Sequence, residues 1–121
     1  MKKFLLAVTL VLAGPAQAFM AENDVRVAAM DGGQFLVGPV PGMGAAASWC
    51  AAGDYALRKL NLAPTDRIWR VSVPPRKQGE GVVFALTGDG ASPKTGLVRI
   101  PDDGSMTVAG AQALCWALNF E

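Results

Sequence analysis

The sequence predicts a small α+β domain. A mainly antiparallel sheet of about three to four strands packs on a central helix at about 48–60. A C-terminal helix, about 108–118, is tied to that helix by a disulfide. Three observations carry this. The stretch WCAAGDYALRKL places Ala56, Trp49, Leu60, Gly53, Leu57 and Cys50 within an arc of about 120° on a helical wheel. The runs RIWRVSV (Arg67 to Val73) and VVFALT (Val82 to Thr87) are rich in β-formers. Cys50 and Cys115, the only two cysteines, each fall on the apolar face of a helical segment.

Residues 1–18 read as a secretory signal peptide. Lys2 and Lys3 form the basic start, Phe4 to Ala13 the apolar run, and Ala16-Gln17-Ala18 the cleavage site. The run is too short to span a membrane. The expected mature chain is one domain, 19–121, in the periplasm or outside the cell. Removing Lys2 and Lys3 takes the formal charge from +1 to −1, which argues against nucleic acid as a partner. No later stretch reaches membrane length. Two cysteines in an oxidising compartment pair, so Cys50–Cys115 is expected to be a structural bridge closing a long loop. Such a bridge is worth about 4 kcal/mol in the chain-entropy picture.

The elements follow in order. Phe19 to Asp24 is a polar lead-in, and Val25 to Ala28 an edge strand. Asp31-Gly32-Gly33 marks a turn before a short strand, Phe35 to Val37. Val40 to Ala45 is a mobile approach to the helix. Ser48 caps the helix, Asp54, Tyr55, Arg58 and Lys59 fall opposite the apolar arc with Asp54 and Arg58 as a solvated i,i+4 ion pair, and Asn61 and Pro64 end it. Gly53, inside the apolar arc, predicts a close approach by a strand.

In Arg67 to Val73, Trp69, Val71 and Val73 are expected to face the helix, and Arg70 to point outward. Pro74 to Gly81, PPRKQGEG, links this strand to the near-continuously apolar second one. Gly88 to Gly96 reads as a surface loop, Leu97 to Ile100 as a third strand, and Pro101 to Gly104 as a tight turn. Ser105 to Thr107 returns as a fourth strand, and Thr107 caps the last helix.

The chemistry on offer is narrow. No histidine occurs, which removes the usual general base and the commonest metal ligand. Two distant cysteines do not make a zinc site, and no metal or cofactor is expected. The glycine pairs at 79–81 and 88–90 are too short to be phosphate cradles. Asp102-Asp103 lacks the alternating acids of a calcium loop and reads as a turn. One constellation stands out. Arg67 and Arg70 flank Trp69, and Arg76 and Lys77 follow. Guanidinium beside indole can stack and can bind carboxylate or phosphate.

The runs WCAAGDY, IWR and PPRK, with the later Cys115, resemble a group of short exported proteins from alphaproteobacteria. The resemblance spans most of the expected mature chain. It implies a periplasmic or secreted location and brings no catalytic residue with it.

The expected function is therefore that of a non-catalytic exported accessory or binding module. Its partner would be an envelope protein or a small anion, met at Arg67, Trp69, Arg70, Arg76 and Lys77. The alternative is a small thiol-dependent or redox-active enzyme using Cys50, whose place at a helix N-terminus would lower the thiol pKa.

Overall fold

The computed structural model describes residues 19–118. The secretory signal read over residues 1–18 lies outside the described residues. The chain is α+β. Its strands are β1 (Phe19–Met20), β2 (Arg26–Ala29), β3 (Phe35–Val37), β4 (Arg67–Arg70), β5 (Val82–Ala85) and β6 (Ser105–Thr107). Its helices are α1 (Ala45–Arg58) and α2 (Val108–Leu118). The strands form one six-stranded sheet in the order β1-β2-β3-β5-β4-β6, and every pairing is antiparallel.

Six strands form where three to four were expected. The sheet departs from the expectation in two places. The lead-in is itself a strand, with Phe19 opposite Val27, so β2 lies inside the sheet and not at its edge. Leu97 to Ile100 forms no strand, and Val98 and Ile100 are 100% and 96% exposed. The outer edge of β4 is taken by β6, with Ile68 opposite Met106. Glycine and proline flank the short 97–100 run and leave it outside the ladder.

Helix α1 starts a turn earlier than the sequence pattern suggested. Ala45, Ala46 and Ala47 are strong helix formers and extend it back to Gly44, the actual N-cap. Ser48 is inside the helix and donates to the Ala45 carbonyl at 2.8 Å. At the other end Asn61 has a positive φ of 57°, the left-handed stop the sequence indicated. Thr107 caps α2 by accepting from the Gly110 amide at 3.0 Å.

The core lies between the sheet and the helices. Trp49 meets Phe84 edge-on at 4.8 Å, and Tyr55 lies 4.7 Å from Phe35. Nine consecutive residues of α1, Ser48 to Ala56, are buried, because the sheet covers one side and α2 another. Two expectations fail for this reason. Tyr55 is buried, not outward-facing. Asp54 is also fully buried, and its ion pair with Arg58 is half inside the protein and not solvated. Gly53 does mark a close approach, but by α2: a Cβ there would lie 2.6 Å from the Gln112 amide nitrogen.

Cys50 and Cys115 are joined, with their Cα atoms 4.9 Å apart, so the disulfide links the two helices through their buried faces. Among the described residues no helix is long and apolar enough to cross a membrane.

Candidate functional site

Strand β4 carries Arg70 in the opposite phase from the one expected. Ile68 and Arg70 face the core, Trp69 is half-buried and Arg67 is exposed on the other face, and Val73 is 74% exposed. Arg70 is only 1% exposed. Two of its nitrogens are occupied: Nε donates to the Ser72 carbonyl at 2.8 Å and Nη1 to the Thr95 carbonyl at 3.1 Å. Nη2 is buried and has no protein partner. Among the described residues, the salt bridge is Arg58–Asp54, so no carboxylate neutralises Arg70. Burial lowers the Arg70 pKa from its ordinary value. A guanidinium remains charged at neutral pH even so.

The Thr95 carbonyl is itself held in place. It also accepts from Trp49 Nε1 at 2.9 Å. The Thr95 amide and hydroxyl donate to the Asp102 carboxylate at 3.1 Å each. Asp102 therefore braces the loop, while the exposed Asp103 accepts from the Ser105 amide and hydroxyl at the following turn. Both acids close turns, as expected. The 88–96 segment is not purely a surface loop, because Ser92 and Thr95 are buried. It runs so close to Arg70 that a Cβ on Gly96 would lie 2.7 Å from Nη1.

Arg70 lines a cleft of about 280 Å³. Arg76 lines it too. Its guanidinium donates to the carbonyls of Met43, Val40 and Glu80, so it ties the 74–81 loop to the approach of α1 while bringing a second positive charge. Gly44, Ala45 and Ser48 bring the N-terminus of α1 to the same cleft. Met43, Pro74, Pro75 and Val82 give it an apolar wall. Among the described residues no acidic side chain lines it.

The basic-aromatic patch read from the sequence is thus divided. Arg70 and Arg76 come together. Arg67 lies apart, with Nε on the Ser105 hydroxyl at 3.0 Å, and Trp69 packs beside Gly88. Lys77 is exposed and outside the cleft lining. The end of α1, Ser48, Thr95 and Gly96 were not among the residues singled out. Only the alanine run before Ser48 carried a hint, since it extends the helix back toward Gly44.

Cys50 offers no thiol, since it is bridged and fully buried. The earlier helix start also moves it into the second turn, away from the end where the dipole acts. Compared with family models, curated proteins and solved structures, the chain matches none.

Proposed function

We propose that this protein is a non-catalytic exported binding module that holds an anionic ligand in the Arg70–Arg76 cleft. One observation carries the reading. Arg70 is buried, has an unpartnered Nη2 and lines a cleft where, among the described residues, no carboxylate is present. A buried charge without a counterion is costly, and an anion entering the cleft would supply both the charge and the acceptor. The absence of histidine and the bridged cysteines favour binding over chemistry. The basic-apolar start with Ala16-Gln17-Ala18, and a disulfide that persists where the compartment is oxidising, favour a periplasmic or secreted location.

Titration calorimetry with phosphate, sulfate and acetate at constant ionic strength tests this reading. The expected result is one saturable site, lost in Arg70→Met while the circular dichroism spectrum stays native. Absence of saturable binding for all three anions, or binding unchanged in Arg70→Met, would overturn it.

A further inference from the structure

We infer that the cleft is built for a phosphate monoester, with the phosphoryl group at the N-terminus of α1 against Arg70 and the organic group along the apolar wall. This rests on the reading of the chain as an anion-binding module and names the anion. Three features converge on it.

The first is the helix end. α1 has 14 residues, its N-cap is Gly44 with no side-chain cap, and its first turn holds no acid. The first-turn amides are therefore without a side-chain acceptor, and the helix dipole places about half a positive charge there. Such an end is suited to phosphate. Arg70, reaching the same cleft from β4, is an independent donor.

The second is the placement of donors. With Nε and Nη1 committed to Ser72 and Thr95, Arg70 cannot offer the parallel two-point fork that best fits a planar carboxylate. That leaves Nη2 as its uncommitted donor, and the start of α1 lines the same cleft from a different element. Donors distributed about a point suit the tetrahedral oxygens of phosphate.

The third is charge and size. Two guanidinium groups and a helix N-terminus line the cleft, with no carboxylate among the described residues. A phosphate monoester carries a charge of about −1.5 to −2 at neutral pH, against −1 for a carboxylate. The volume of about 280 Å³ exceeds what a bare oxyanion fills, and Met43, Pro74, Pro75 and Val82 offer an apolar surface to its ester group. A soluble ester and a phosphomonoester lipid headgroup share this chemistry.

The test compares glycerol phosphate, inorganic phosphate and acetate by calorimetry, and adds cosedimentation with phosphatidylcholine vesicles containing phosphatidic acid. Glycerol phosphate is expected to bind at least about tenfold more tightly than acetate, in keeping with its greater charge. Vesicle binding assigns a lipid source, and binding of glycerol phosphate alone assigns a soluble one. Ala45→Glu places a carboxylate at the first helical position, where the dipole favours it and where it fills the site. It is expected to hold or raise the melting temperature while weakening glycerol phosphate binding by more than about tenfold. Arg70→Lys, which keeps the charge but cannot hold the Ser72 and Thr95 carbonyls and still present a separate donor, serves as a second variant and is expected to weaken binding likewise. Wild-type affinity in both variants overturns the inference. Acetate binding as tightly as glycerol phosphate also overturns it but leaves the anion-binding reading in place, whereas no binding of any anion removes both.

Discussion

Asp54 shows how much one buried side chain can organise. Its carboxylate accepts from Arg58 Nε and Nη2 at 2.6 Å each, from the Glu22 amide at 2.9 Å and from Gln112 Nε2 at 3.2 Å. It thereby joins the start of the domain, α1 and α2. Burial alone would raise its pKa, but the hydrogen bonds from Arg58 and the Glu22 amide, with the Arg58 charge and Gln112, outweigh it and hold the pKa below the usual 3.8. A carboxylate whose pKa is lowered by folding stabilises the fold above its unfolded pKa, and that contribution fades as pH falls through the folded value. Stability measured by urea unfolding is therefore expected to fall below about pH 4. Asp54→Asn should flatten part of that fall and cost about 2–4 kcal/mol at neutral pH. A variant as stable as the parent at pH 7 would contradict the hub role. The sequence concealed this residue because a helical wheel assumes one wet face. Arg70 was concealed similarly: both faces of RIWRVSV are plausibly apolar, and a charged side chain argues for the wrong one unless its carbonyl acceptors, Ser72 and Thr95, are known.

Between elements, close packing decides the outcome. Gly53→Ala should gain about 1 kcal/mol in helix propensity. Its new Cβ would also lie 2.6 Å from the Gln112 amide nitrogen and 2.8 Å from the Ala111 Cβ. Overpacking of this kind costs about 1–3 kcal/mol, so a net loss of stability is expected in a thermal melt. A raised melting temperature would mean that the helices can separate without cost. Gly96→Ala meets both a left-handed φ of 89° and the Arg70 guanidinium. It should destabilise the protein by about 1–2 kcal/mol and also weaken anion binding, whereas a merely structural loop would show only the first effect. The glycine at 53 was legible as a contact point, but its partner was not, since the wheel does not say which element approaches. Both helices and β2 to β6 were readable from pattern and punctuation, with β2 misplaced at an edge and β4 read in the opposite phase. β1 was missed because it spans only Phe19–Met20 and exists through its pairing with β2.

The whole molecule is a sheet with two helices stapled together across a sequence separation of 65 residues. The paired cysteines were legible because two distant cysteines with no metal-binding or C-x-x-C spacing have few uses other than a bridge. The Cys50→Ala, Cys115→Ala double variant should lose up to about 4 kcal/mol of unfolding free energy. Unchanged stability would mean that helix packing alone fixes the arrangement. The cleft is formed by β4, the 74–81 loop and the 88–96 segment, which follow closely on one another in sequence, and by the start of α1, which precedes them by the length of the helix. That is why its two arginines could be singled out from the sequence while the helix end that completes the site could not. Heteronuclear NMR of residues 19–121, titrated with glycerol phosphate, locates the anion by residue. The amides of Ala45 and Ala46 and the guanidinium of Arg70 should shift together and saturate at one equivalent. Shifts confined to exposed lysines such as Lys59, Lys77 and Lys94, with those groups unmoved, would contradict an anion seat at the start of α1.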